Sequence, residues 1–363
     1  MFTWKRAVLK VGSSLIAPDS THCSAKYLLA IAQFITASRE AGKEVLVVSS
    51  GSVAAGRNSV KVNHQPSIAE KQAMAAIGQT RMMANWQRFF DFPCAQVLLS
   101  AEDLRDRTRY VNIASTIREL LTHHALPIIN ENDTVVTDEL KVGDNDNLAA
   151  YTALVAQADT LIICSDVDGL YSADPRCNPQ ASLISQVDVI DEATYQLAGG
   201  AGTKMGTGGM QTKLQAAEKC MHSGIQTLIV NGRKPAVFAS LQHGKAMGTL
   251  FKPKQSSRRA RQLWIHHTLK SKGCIKIDEG AAAALTDHGA SLLPSGVSGC
   301  EGEFRVGDAV SIECNGRPVA KGLVLFSAAE LTLAQGRRTC ELSQVLGYQS
   351  NGLVVHRDDM VVF

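Results

Sequence analysis

Short, uninterrupted apolar runs recur through the first two thirds of the chain. They are AVLKV (7–11), EVLVV (44–48), AQVLL (95–99), PIIN (127–130), TLIIC (160–164) and TLIV (227–230). They are continuous rather than alternating, as strands buried on both faces are. Between several of them lie segments with apolar positions three and four apart. SAKYLLAIAQFITASREAGK (24–43) puts Leu28, Ile31, Ala32 and Ile35 on one stripe and ends at Gly42, suited to the C′ position of a helix. IAEKQAMAAIGQTRMMANWQRFF (68–90) and RYVNIASTIRELLTHH (109–124) behave similarly. Strands alternating with helices predict an α/β fold, a three-layer sandwich around a mainly parallel sheet. Ligands of such sheets sit beyond the carboxyl ends of the strands, which makes the residues just after each run the candidates for a site.

The texture changes near residue 250. FKPKQSSRRARQ is basic and polar and reads as a linker; beyond it CIKIDEGA, EFRVGDAVSIE, VAKGLVLF and GLVVHRDDM are short segments separated by Gly. These predict a small β-rich domain. The expected division is an α/β domain over 1–254, a basic linker over 255–272 and a β-rich domain over 273–363.

Composition adds little to this until charge is mapped along the chain. With 363 residues, 45% hydrophobic and 20% charged, it reads as an ordinary soluble protein of two domains. The basic start is followed by an apolar run too short and too broken, at Lys10, for a signal peptide. Nine scattered cysteines without a C-x-x-C pair argue against a disulfide framework or zinc site and suit a cytoplasmic setting, with Cys94 and Cys164 read as core. Net charge is +3, yet Lys219 to Ile277 holds twelve of the 37 Lys and Arg and no Asp or Glu. Such a segment suits an anionic partner (nucleotide phosphates, RNA or the acidic remainder of the chain itself) or a solvated linker packed against that remainder.

The first strand ends in Lys10-Val11-Gly12-Ser13-Ser14. A lysine in a buried strand is costly unless its ammonium reaches an anion, and Gly-Ser-Ser lets an oxyanion approach the backbone. The simpler alternative is a lysine pointing out at the strand end. After the second strand come Ser49-Ser50-Gly51-Ser52, small residues that suit either a ligand or a tight turn. GTGGMQTKLQAAEKC, from Gly206, is a Gly-rich loop entering a helix, with Lys213 in its first turns. A helix start of this kind binds phosphate readily. It is not a Walker A box, because Thr212 stands where Gly is required, and no G-x-G-x-x-G follows a strand.

The richest stretch is IINENDTVVTDELKVGDNDNLAA (128–150), with four Asp, two Glu and four Asn. A calcium loop fails, since Leu148 stands where an oxygen ligand is needed. Helix capping fits, because LAAYTALVAQA (148–158) is helical in propensity and Asp144 to Asp146 fall at its start, but one Asp suffices for that. A third reading is a zwitterion site, with Asn130, Asp133, Asp144 and Asn145 around an ammonium and helix amides receiving a carboxylate.

VLKVGSSLI, VVSSGSVAAG, INENDTVVTDELKVGDNDNLAA, SDVDGLYSADPR and GTGGMQTKLQAA, in this order and at these spacings, resemble the glutamate 5-kinases of the amino-acid kinase family. The match spans the first 250 residues. INEND followed by VGDNDNLAA separates this branch from aspartate, acetylglutamate, carbamate and uridylate kinases. The tail, with CIKIDEGA, LLPSGV and VVHRDDM, resembles a PUA domain, a small β barrel. The resemblance implies phosphorylation of the γ-carboxylate of L-glutamate by ATP with Mg²⁺, the first step of proline synthesis. It implies that Lys10 and Lys213 contact the transferring phosphoryl group while Asp146 orients them. Ser50, Asp133 and Asn145 would hold glutamate, with Asn130 and Asp144 nearby. Ser165, Asp166 and the loop Thr207, Gly208, Gly209, Met210, Gln211, Thr212 and Lys213 would hold ATP. No protein metal site is expected, Mg²⁺ being carried by ATP. Proline as feedback inhibitor, a homo-oligomer (dimer or tetramer) and a γ-glutamyl phosphate reductase as partner are also implied. The chain departs from the family at Ser165, often Thr, and in AGGAGTKMGTGG before Gly206.

The chemistry is coherent without the family. A carboxylate of pKa about 4.3 is ionised at neutral pH and needs no general base. The sequence offers no catalytic histidine, and His123-His124 at a helix end reads as surface. Two lysines from opposite ends of the sheet and Mg²⁺ would neutralise the approaching anions, which is most of what phosphoryl transfer requires. The competing class is an RNA-binding protein acting through its basic run and tail. Only Trp264 stands near that run, a weak stacking platform, and a tail that aids assembly or regulation explains it as well. No membrane partner is expected.

Overall fold

The structure, a computed structural model, describes all residues except 20–22, 136–143, 176, 199–208, 255, 257–264 and 266–268. The chain divides into two compact units. One is Met1–Leu104 with Ala114–Ser257; the other is Arg105–Ile113 with Arg258–Phe363.

The apolar runs all form strands. With two further short strands, β6 and β8, the first unit has β1 (Arg6–Val11), β2 (Glu44–Ser49), β3 (Cys94–Leu99), β4 (Leu126–Glu131), β5 (Thr160–Ser165), β6 (Gln186–Val187), β7 (Gln226–Asn231) and β8 (Thr249–Phe251). They make one sheet in the order β3-β4-β2-β1-β5-β7-β8-β6. The pairs from β3 through β7 are parallel, and β8 runs antiparallel to β7. Helices alternate with the strands: α1 (Ser13–Ile16), α2 (Leu28–Glu40), α3 (Ser52–Gly56), α4 (Ile68–Gln87), α5 (Ala101–Arg105) and α6 (Arg107–Thr122). After β4 come α7 (Asn145–Val155), α8 (Glu192–Leu197), α9 (Met210–His222) and α10 (Pro235–Gln242). No helix among the described residues is long and apolar enough to cross a membrane.

Strand periodicity decides which way each side chain of β1 points. Ala7, Leu9 and Val11 join the core formed with Leu28, Ile31 and Ile35 of α2, the stripe expected from the sequence. Val8 and Lys10 alternate to the opposite face. There α7 packs against β1, β2, β4 and β5. Residues Ala7 to Val11 are all buried, so the sheet is covered on both faces.

Helix bounds follow local chemistry. α2 starts at Leu28, four residues later than the apolar pattern suggests, and is followed by Gly42 at φ +74°. α4 starts at a capping box in which Ser67 and Glu70 satisfy each other's backbone amides. α7 starts three residues earlier than the apolar pattern, because Asp144 caps it: the carboxylate accepts from the amides of Asp146 and Asn147 at 2.7 and 2.9 Å. Cys164 is fully buried as expected, whereas Cys94 is only partly buried at the edge of the core.

Two glycines bring α3 and α4 together. A Cβ on Gly78 would lie 1.8 Å from the carbonyl oxygen of Ser52, and one on Gly56 would lie 1.9 Å from that of Met74. Both obstacles are backbone, so nothing flexible can yield. Gly78→Ala is therefore expected to destabilise the protein by about 1–3 kcal/mol through overpacking. Thermal unfolding checks this, and an unchanged melting temperature would mean that α3 and α4 can separate without cost.

The second unit contains a five-stranded sheet of β9 (Gly273–Ile277), β10 (Val297–Gly302), β11 (Ala309–Cys314), β12 (Arg317–Val324) and β13 (Val355–Val362), in the order β10-β9-β11-β12-β13. It has its own core, built on Ile275, Val310, Ile312, Phe326 and Val355 among others.

Candidate active site

Because β1, β2, β4, β5 and β7 are parallel, their carboxyl ends share one edge of the sheet. Lys10, Ser49-Ser50, Asn130, Ser165-Asp166 and Asn231 stand at those ends.

The charged centre is a buried triad. Asp146 is 0% exposed, Lys10 6% and Lys213 4%. Lys10 Nζ lies 2.5 Å from Asp146 Oδ1, and Lys213 Nζ lies 3.1 Å from Oδ2. The Thr212 hydroxyl is 2.8 Å from Oδ2 and equally close to the Gly209 carbonyl. Burial alone would raise the Asp146 carboxyl, but the Lys10 and Lys213 ammonium groups and Thr212 outweigh it and hold it below its usual value. Burial pushes the Lys213 ammonium below its ordinary value; Asp146 opposes this shift and Lys10 adds to it. The lysines do not come from opposite ends of the sheet. Lys10 is on central β1, and Lys213 is on α9, which packs on α7. A Cβ on Gly12 would sit 3.9 Å from Lys10 Nζ and 3.9 Å from Ser14 Oγ, so its missing side chain leaves a small space beside the ammonium. That space and the two cations suit phosphate oxygens.

Beside the triad lies a polar chain. Asn145 Nδ2 donates to Ser50 Oγ at 2.7 Å and to Asn130 Oδ1 at 3.2 Å. Asn130 Nδ2 donates to Gln79 Oε1 at 2.9 Å. Ser52 Oγ donates to Asp133 Oδ2 at 2.9 Å. Ser50, Asn130 and Asn145 are thus brought into direct contact, and Asp133 is held to the start of α3. Gly51, at φ +99°, makes the strand-to-helix turn between Ser50 and Ser52. That turn is the plainer reading of the small residues after β2, and it coexists with a polar role for Ser50. Asp144 serves as the helix cap, while Asp146 reaches the lysines. The doubled aspartates of GDNDN therefore do different work.

A third cluster stands at the ends of β5 and β7. Ser165 Oγ lies 3.3 Å from Asp166 Oδ1, and Arg233 lies 3.6 Å from Asp166. Asn231 Nδ2 donates to Asp168 at 3.0 Å, and Lys234 pairs with Asp168 at 2.6 Å. Gly209, which precedes α9 as its N-cap, and Met210, Gln211, Thr212 and Lys213 form the start of that helix. Thr207 and Gly208 lie outside the described residues.

Gln79, Asn231 and Lys234 join these clusters although the sequence pattern does not mark them, and Ser52 and Asp168, which lie in marked stretches without a role, join them too. Gln79 sits in a long helical pattern where a glutamine reads as surface, yet it is 7% exposed. The neighbouring Gly78 is its one sequence signal, an unforced glycine inside a helix that marks close packing. Among the described residues no group of three or more His, Cys, Asp or Glu is placed to hold a metal ion.

Comparison with known proteins identifies the family. Residues 5–231 match the amino acid kinase family, and residues 273–346 match the PUA domain. The glutamate 5-kinase of Idiomarina loihiensis is 51% identical over 363 residues, covering 99% of this chain and 98% of that protein. That of Salinibacter ruber is 51% identical over 366 residues, covering 99% and 97%. That of Xanthomonas axonopodis pv. citri is 48% identical over 362 residues, covering 98% and 100%. With a family match over more than half its length and relatives alike from end to end, the chain belongs to the glutamate 5-kinases of the amino acid kinase family.

Proposed function

We propose that the protein transfers the γ-phosphoryl group of ATP to the γ-carboxylate of L-glutamate, giving L-glutamyl 5-phosphate and ADP, the first step of proline synthesis. The observation that carries the reading is the buried Lys10–Asp146–Lys213 triad beside the Ser50–Asn145–Asn130 chain, cations next to amide and hydroxyl groups that can grip an amino acid. One γ-carboxylate oxygen forms a bond to the γ-phosphorus while the bond to the β,γ-bridging oxygen breaks. No proton moves, so no base is required. Lys10 and Lys213 neutralise the phosphoryl oxygens, and Asp146 keeps two ammonium groups side by side that would otherwise repel. Ser50, Asn145, Asn130, Asp133 and Asp144 take the amino acid. Ser165, Asp166 and the 207–213 segment take the nucleotide.

When bound with the nucleotide, Mg²⁺ would supply further charge neutralisation on the phosphates. Asp146 is taken by two ammonium groups and Asp144 by backbone amides, so the fitting place for the ion is on the nucleotide's own oxygens and water. Proline shares the ammonium and α-carboxylate of glutamate and would compete at this site, so saturating glutamate should relieve its inhibition. Handing the labile acyl phosphate to a reductase, and assembly as a dimer or tetramer, belong to the same reading.

An ATP-dependent hydroxamate assay across glutamate, aspartate and acetylglutamate tests it. Product with glutamate above the others is expected; a preference for acetylglutamate sinks the assignment. A pH profile adds a second test. Lys213 must carry its proton to act on phosphate, so kcat/KM should fall as pH rises through its lowered pKa, on the acid side of 10.5. Lys213→Arg, whose charge does not titrate, should lower the rate and flatten that limb. An alkaline limb unchanged in the variant would assign it to another group.

A further inference from the structure

We propose that Lys219 is a positioning residue for the amino-acid half of the site, acting through Asn147 on Asp144. The inference rests on the glutamate reading above. Lys219 Nζ donates to Asn147 Oδ1 at 2.7 Å, and Asn147 Nδ2 donates to Asp144 Oδ2 at 3.1 Å. The amide's orientation is forced: an ammonium can only donate and a carboxylate can only accept, so one orientation alone satisfies both ends. Asn147 is 7% exposed, so water cannot readily replace a lost partner.

Spacing brings Lys219 there. Thr212, Lys213, Ala216 and Lys219 recur every three or four residues, and the first two reach Asp146 of α7, which marks the face of α9 turned toward that helix. α9 is therefore tied to the start of α7 at two residues, to Asp146 by Thr212 and Lys213 and to Asn147 by Lys219. The ring of Tyr151, 6.0 Å from Lys219 Nζ, flanks the ammonium. A lysine in the last turn of a helix ordinarily serves its own carbonyl end. This one spans to the capped end of another helix. Asp144 Oδ1 is fixed by two backbone amides, so the Lys219–Asn147 pair fixes the other oxygen, Oδ2.

The test is steady-state kinetics of the full chain with Lys219→Met, Asn147→Ala, both together, and Lys219→Arg. Each of the first two should raise the glutamate KM about tenfold, the worth of a charge-assisted hydrogen bond, with kcat and the KM for ATP near wild-type values. The double variant should be no worse than the worse single one, because the residues act in one chain. Lys219→Arg, still a donor, should recover most of the affinity. A lower melting temperature with unchanged glutamate KM would reduce Lys219 to a structural contact and overturn the proposal, as would multiplicative effects of the two substitutions. Asn147→Ala gives the same readout if Lys219→Met fails to fold. Wild-type protein inactive on glutamate would sink the function itself; active wild type with an unchanged KM in the folded single variants would sink this inference alone.

Discussion

Replacing Lys213 by Ala is expected to lower kcat by about 10²–10³-fold, the loss seen when one preorganised charge-stabilising group is removed. The glutamate KM should move little. The reason is a division of labour within the site. Lys213 touches Asp146 and the Gly209 carbonyl, whereas the amide and hydroxyl groups of Ser50, Asn130 and Asn145 bond to one another. Removing the ammonium strips charge from the phosphoryl side and leaves the amino-acid side intact. Single-turnover rates with saturating ATP, and glutamate binding by calorimetry, separate the two. Unchanged turnover would remove Lys213 from the mechanism, and an equal loss of glutamate affinity would show that the two halves are not distinct.

Asp146→Asn should be the more damaging change to stability. The amide keeps the shape but not the charge, so two buried ammonium groups face each other with no anion. Removing one partner of a buried ion pair typically costs about 3–5 kcal/mol. Turnover should also fall, since Lys10 and Lys213 lose the group that sets their separation. The sign of the pH dependence comes from the direction of the shift. The folded-state Asp146 carboxyl lies below its ordinary 3.8, so its contribution is fully present above that value and fades as pH falls through the folded pKa. The stability gap between wild type and variant should thus be complete at neutral pH and close in strong acid. The variant should regain stability as pH rises toward the lysine range, where one buried ammonium can shed its proton. Denaturant unfolding at several pH values checks both limbs. A gap independent of pH would mean that shape, not charge, is what the variant lost.

Much of this is legible in the chain. Six continuous apolar runs form six strands; five are buried nearly throughout, because residues covered on both faces of a parallel sheet must be apolar, while β3 at the sheet's edge is only partly buried. Lys10 stands out as an exception inside such a run. The dense polar stretch 128–150 points to a site, and the motifs around it point to the family. In the sequence, helix capping accounts for one aspartate of GDNDN and the family resemblance gives the other, Asp146, to the lysines. Both hold, on different residues, Asp144 and Asp146.

What the chain alone determined is local: strand and helix identity, the odd lysine in a buried strand, the polar segment and its motifs. These depend on period, propensity and residue type, which neighbours in sequence already express. What only the tertiary structure decided is which distant groups meet. Lys10 meets Asp146 because alternation along β1 turns it toward the face where α7 lies. Gln79 meets Asn130 because glycines at 56 and 78 let α3 and α4 touch at the backbone. Lys219 reaches Asp144 through Asn147 because α9 packs on α7. Such contacts join residues 51 to 136 positions apart, where no local pattern carries information, and they are fixed by strand order and close packing alone.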